Sequence, residues 1–276
     1  GRIVGRFQQP FMVEGLELYA TASIGVAVYP EDGGDLDALT RCADIAMYRA
    51  KELGKNRYER YSTDNHNLTV DRLAMENELR RALERGEFEL VYQPQIRLED
   101  GRIFGVEALI RWRTSERGVV SPSDFIPLAE DGGLIIPIGR WVLREACRQQ
   151  KKWIDEGVSP SIVSVNISAS QLQQNDFADM VKDILAETGL PPQCLCLEIT
   201  ETAAITNWNN SLEKLEKVRD LGVRIALDDF GTGYSSLSML KQLPIHIVKI
   251  DRSFVRHLAE NSSDAAIASA IISLAR

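Results

Sequence analysis

The sequence predicts an α/β protein: a β/α (TIM-type) barrel, incomplete at its C-terminus, preceded by the α+β tail of another domain. Three observations predict it. After Gly86, short apolar segments alternate with amphipathic ones, the rhythm of a parallel sheet covered by helices. The amphipathic segments stop at Gly157, Gly189 and Gly222, the usual end of a helix. Polar residues, most of them acids, follow one apolar segment after another, as at the carboxyl rim where such barrels carry their sites.

Composition sets the bounds. With 276 residues, 44% hydrophobic and 26% charged, the chain is globular in composition and has room for one large domain or two smaller ones. Apolar runs such as Gly133 to Ile138 and Ala265 to Ala275 fall short of the roughly 20 residues of a membrane span, so no transmembrane segment is expected. A net charge of -8 argues against DNA or other sequence-independent nucleic-acid binding. A small phosphorylated ligand held through a cation still suits an acidic pocket. Cys194 and Cys196 are spaced to share one strand face and, like Cys42 and Cys147, read as thiols of a reducing, cytoplasmic compartment rather than a metal or redox pair. The chain begins at Gly1 with no initiator Met or leader, so upstream segments of a parent protein are expected, and these could anchor it to a membrane.

Residues 1–62 read as a domain end. Alternation from Tyr19 to Val28 predicts a strand, Pro30 to Gly34 a turn, and the stripe Leu36, Leu39, Ala43, Ala46, Met47 and Ala50 a helix. Residues 63–86 read as a polar linker and a connecting helix from about Asp71 to Glu84. Residues 87–276 hold the barrel. Its strands are expected at Phe88 to Ile96, Ile103 to Ile110, Ile162 to Ile167, Cys194 to Ile199, Val223 to Leu227 and Ile245 to Ile250. Helices are expected over Trp141 to Trp153, Phe177 to Leu185 and Leu212 to Leu221. Six strands do not close a barrel that needs eight.

The strand ends carry the chemistry. Glu107, Asn166, Glu198, the pair Asp228 and Asp229, and Lys249 with Asp251 each follow an apolar segment. Several carboxylates gathered on one rim repel one another unless a cation joins them. The donor set is oxygen only, which suits Mg²⁺ or Mn²⁺ better than Zn²⁺. Such ions can clamp a phosphodiester and activate water, with Lys249 orienting that water. Blander readings stand beside this one: helix capping for any single acid, above all Glu201, and a structural ion pair of Lys249 with Asp228 or Asp251. The glycine-containing stretch Asp229 to Ser236 reads as a lid or as a plain turn. The three histidines, His66, His246 and His257, read as surface or packing residues.

The residues also resemble a known family. Glu107-Ala108-Leu109 with Ile110-Arg111-Trp112 resembles the signature of the EAL domain, the cyclic di-GMP phosphodiesterase. The match continues through Tyr92-Gln93-Pro94, Phe125 to Glu130, Val165 to Ser168, Glu198 to Glu201, Asp228 to Leu237 and Val248 to Asp251. The resemblance implies a barrel of the EAL type that hydrolyses cyclic di-GMP to linear pGpG with Mg²⁺ or Mn²⁺. It implies Glu107, Asn166, Glu198, Asp228 and Asp229 as metal ligands, Lys249 as a water-orienting group and Glu201 as support for the Asp229 to Ser236 loop. It also implies substrate contacts from Gln93, Arg111 and Asp251, and a homodimer through the barrel. In that family the last two strands add a further Glu and Gln; this chain ends at Arg276 ahead of them, so reduced or absent activity is expected of the stretch alone.

The first residues resemble the end of a GGDEF domain, the diguanylate cyclase, through Ala22 to Ala27, Tyr29-Pro30, Ala43 to Lys51 and Gly54 to Arg57. That resemblance implies phosphate contacts from Lys51 and Lys55, and upstream cyclase and sensor segments in the parent. Cyclase activity of this chain is not expected, because the signature loop is not in it. Against the phosphodiesterase stand a non-catalytic cyclic di-GMP receptor, an enolase-type barrel using Lys249 as a base beside a carbonyl acid, and an interaction module pairing through an open sheet edge.

Overall fold

Seven strands of the larger unit form one sheet. The computed structural model describes residues 2–7, 11–13, 16–18, 21–54, 56–158, 160–231, 237–256 and 262–275. Tyr19, Ala20, Lys55, residues 232–236 of the stretch expected to be a lid or turn, His257 and Arg276 lie outside these. The chain divides into two units, Gly1–Glu78 and Leu79–Arg276.

The first unit holds α1 (Arg2–Phe7), a β1–β2 hairpin (Phe11–Val13, Leu16–Leu18), β3 (Ile24–Val26), α2 (Leu36–Glu52) and β4 (Tyr58–Arg60). The Asp35 carboxylate accepts from the Ala38 N–H at 2.7 Å and caps α2. β3 and β4 run parallel, and α2 lies directly on β3: a Cβ on Gly25 would stand 1.8 Å from the Ala43 carbonyl oxygen. The described strand is thus shorter than the alternation suggested.

Helix α3 (Thr63–Ala82) begins eight residues before the expected start at Asp71. The polar stretch read as a linker is helical because neither Gly nor Pro interrupts Ser62 to Glu84, and polarity alone does not stop a helix.

The second unit follows with β5 (Phe88–Ile96), β6 (Ile103–Thr114), β7 (Gly118–Val120), α4 (Pro122–Asp131), α5 (Ile135–Asp155), β8 (Ile162–Ile167), α6 (Ala169–Leu172), α7 (Phe177–Thr188), β9 (Leu195–Thr200), α8 (Glu201–Ile205), α9 (Trp208–Asp220), β10 (Arg224–Phe230), α10 (Leu237–Leu240), β11 (Ile247–Ile250), α11 (Arg252–Arg256) and α12 (Ser262–Leu274). The expected parallel ladder is there from β6 through β8, β9 and β10 to β11. One strand departs from it: β5 runs antiparallel to β6. The short turn Arg97 to Arg102 leaves no room for a crossover, so the two strands must form a hairpin. Pairing on both sides with β5 and β7 also carries β6 past Ile110 to Thr114.

Burial explains the helices. On α5, Ile135, Ile138, Val142, Leu143, Ala146 and Cys147 recur at helical spacing and are all buried. Helix α7 ends where Gly189 takes the left-handed conformation at φ 67°. Phe88, Trp112, Phe125 and Trp141 pack together with neighbouring ring centroids 5.6 to 6.2 Å apart, joining the β5–β6 hairpin to α4 and α5. The buried Trp112 indole N–H donates to Glu87 at 3.0 Å. Cys194 falls in a 3₁₀ turn (Pro192–Cys194) ahead of β9, so the two cysteines do not share a strand face; only Cys196 is fully buried. Proline at the start of that turn delays the strand by one residue. Among the described residues no helix is long and apolar enough to cross a membrane.

Candidate active site

The parallel ladder places five of the expected side chains together. Glu107 is not at the end of β6 but in its middle, where the pairing with β8 runs out at Ala108. It is therefore still at the carboxyl edge of the parallel sheet. On β8 and β9, Asn166 and Glu198 are register partners, and Asn166 donates from Nδ2 to Glu107 at 2.8 Å. From β11, the Lys249 ammonium reaches Asp228 at 2.9 Å, Glu107 at 3.4 Å, and Glu198 in a short contact. The structural ion pair with Asp228 is present, and it is one arm of a three-carboxylate cluster rather than an isolated pair.

The electrostatics follow from burial. Glu198 is 2% exposed, and desolvation raises its carboxyl above the ordinary range while Lys249 draws it back. Burial on its own would depress the Lys249 ammonium; its hydrogen bonds to Asp228 and Glu198, and their charge, outweigh that and hold it above an ordinary lysine.

Asp229 takes a left-handed backbone at φ 54°, within an irregularity where Leu227 pairs with Val248 but Phe230 with Ile250. This bulge sets an extra residue into β10, so two consecutive acids can serve one rim. Desolvation and the nearby charges of Asp228 and Asp251 raise the Asp229 carboxyl. The Asp251 carboxylate accepts from the Ser253 N–H at 2.8 Å and from the Ser253 hydroxyl, which lower it.

Glu201 is not the cap of its helix; the Thr200 hydroxyl is, accepting from the Ala203 N–H at 3.3 Å. Buried at 3% exposure, Glu201 instead accepts from the Gly231 N–H at 3.3 Å, immediately after β10. Gln93 is exposed on β5 directly opposite Glu107. Arg111 lies farther along β6, on the wall of a cavity of about 290 Å³ shared with Asn166 and Glu198, its Nη1 donating to the Ile110 carbonyl at 2.8 Å. His246 packs, its Nδ1 accepting from the Ile225 N–H.

No group of three or more His, Cys, Asp or Glu among the described residues forms a ready metal cage. The chemistry of the donor set fits a hard cation: the oxygens of Glu107, Glu198 and Asp228 converge on a single positive charge, here the ammonium. Two residues escaped the sequence reading. The buried Ser164 hydroxyl hydrogen-bonds Glu198; its signal was the alternation that puts Ser164 and Asn166 on one face of β8. Gln171 closes a capping box with Ser168, and the Ser-x-x-Gln spacing was its signal.

Residues 76–276 match the EAL domain family, and residues 1–57 match the diguanylate cyclase GGDEF domain family. The bifunctional diguanylate cyclase/cyclic di-GMP phosphodiesterase MucR of Pseudomonas aeruginosa is 44% identical over 275 residues, covering 100% of this chain and 40% of that protein. The cyclic di-GMP phosphodiesterase PdeR of Escherichia coli is 38% identical over 275 residues, covering 100% of this chain and 41% of that protein. This chain thus spans about two fifths of the length of these relatives. The solved structure of the PaMucR phosphodiesterase in complex with c-di-GMP superposes with a TM-score of 0.69 at 47% identity, over 72% of this chain and 80% of that one.

Proposed function

The chain belongs to the EAL domain family, whose domains are TIM-type barrels, with a GGDEF fragment at its N-terminus, and we propose that it hydrolyses cyclic di-GMP to linear pGpG. The observation that carries the reading is the convergence of Glu107, Glu198 and Asp228 on one cation position at the carboxyl edge of the sheet.

The family is divalent-metal dependent. Glu107, Asn166, Glu198, Asp228 and Asp229 would hold Mg²⁺ or Mn²⁺, which when bound polarises the phosphodiester and lowers the pKa of bound water. Water adds to phosphorus, the P–O3′ bond breaks, and the departing 3′ oxygen takes up a proton, so that one phosphodiester opens and atoms balance. Lys249 orients that water and offsets the charge developing on the phosphoryl oxygens. Arg111 suits a phosphate through its guanidinium fork, and Gln93 and Asp251 border the ligand. Glu201 holds the Gly231 end of the loop. A homodimer through the barrel and upstream cyclase and sensor segments complete the reading.

The test is turnover of cyclic di-GMP by the intact protein with Mg²⁺ or Mn²⁺. EDTA and Glu107→Ala should each abolish it, and re-addition of metal should restore only the wild type. Turnover that survives both would sink the proposal.

A further inference from the structure

We infer that Gln171 is a positioning residue for this site, holding Asn166 at the rim through Ser168; the inference rests on the metal site proposed above. Gln171 lies on α6 and is 4% exposed. Its Oε1 accepts from the Ser168 N–H at 3.2 Å and from the Ser168 hydroxyl at 3.1 Å, and the same hydroxyl accepts from the Gln171 N–H at 3.2 Å. Ser168 is two residues beyond Asn166, immediately past the end of β8. On its other side the Gln171 amide is backed by α5: a Cβ on Gly139 would stand 2.0 Å from Nε2. Helix α5 therefore supports Gln171, and Gln171 grips the backbone that presents Asn166.

Nε2 itself is buried without a partner. That arrangement is costly, and an apolar side chain of similar size would keep the packing without the cost. What an apolar side chain cannot do is accept twice from Ser168. The amide also borders the cavity that Asn166, Glu198 and Arg111 line, so its consequence is felt at the site rather than in a remote core. Residues that orient a ligand from behind typically change metal affinity by about 10–100-fold when removed.

The experiment is Mn²⁺ titration calorimetry on the intact protein and on Asn166→Ala, Gln171→Met, Gln171→Glu and the Asn166→Ala/Gln171→Met double variant, with melting temperatures alongside. Gln171→Met should weaken, by about tenfold, the Mn²⁺ binding that Asn166→Ala weakens. Gln171→Glu keeps an oxygen able to accept from both Ser168 donors and should stay within about threefold of wild type. On the Asn166→Ala background, Gln171→Met should add no further loss, because the two act through one group. Wild-type affinity in Gln171→Met, even with a lowered melting temperature, would reduce Gln171 to packing and overturn the inference, as would losses that multiply in the double variant. A wild-type protein with no Mn²⁺ binding sensitive to Asn166→Ala would sink the metal site itself, and this inference with it.

Discussion

Glu198 sits within the buried strand β9 with 2% exposure, a position that an ionised carboxylate tolerates only beside a positive charge. Lys249 supplies that charge, and Asp228 and Glu107 share it. Lys249→Met should therefore cost about 2 kcal/mol, less than a fully buried pair because the lysine is 26% exposed. Urea melts in EDTA measure it, and an unchanged midpoint would contradict the account. Elsewhere burial pushes the Cys147 and Cys196 thiols up to about 12. In the unfolded chain they ionise near 8.5, so between those values the unfolded state binds fewer protons and stability falls as pH rises, by about 1.4 kcal/mol per pH unit per thiol. Their contribution is intact below pH ~8.5. Urea midpoints from pH 8 to 10 should drop accordingly, and Cys147→Val with Cys196→Val should flatten the slope; an equal slope in the variant would contradict the assignment.

At the scale of elements, the bulge in β10 converts a strand with alternating faces into one that offers two adjacent acids. Its left-handed residue is Asp229, and asparagine adopts that conformation as readily as aspartate, whereas alanine pays about 1 kcal/mol. Asp229→Asn should keep wild-type stability, with some relief of the repulsion from Asp228 and Asp251, and still lose turnover. Asp229→Ala should lose both. Equal melting midpoints for the two variants would show that the backbone conformation carries no weight. Short polar networks bind neighbouring elements in a similar way: the buried Lys214 ammonium on α9 donates to the carbonyls of Leu172 and Gln173 at the end of α6. Gln173 in turn donates to the Thr206 carbonyl and the Ser211 hydroxyl. The segments that follow β8 and β9 are thereby joined, a few residues beyond Asn166 on one and Glu201 on the other.

For the whole molecule, periodicity and strand-end acids were enough to locate the sheet and the cluster at its carboxyl edge. Glu107, Asn166, Glu198, Asp228 and Lys249 come together as that pattern required, because side chains at equivalent strand ends must meet when the strands run parallel. What the pattern could not convey depended on pairing partners. The reversal of β5 arises from the hairpin turn at Arg97 to Arg102, and the extension of β6 past Ile110 from its pairing with β5 and β7. The bulge at Asp229 arises from a register mismatch that one strand's sequence does not contain. The helical start of α3 was masked by polarity, which governs burial rather than backbone conformation. The chemistry now turns on one distinction, between a site that cleaves cyclic di-GMP and one that only holds it. The most direct measurement follows labelled cyclic di-GMP bound to the intact protein with Mn²⁺, beside Glu107→Ala. Conversion to linear pGpG by the wild type alone is the predicted result; recovery of intact cyclic di-GMP from a tight wild-type complex would contradict it and leave a receptor.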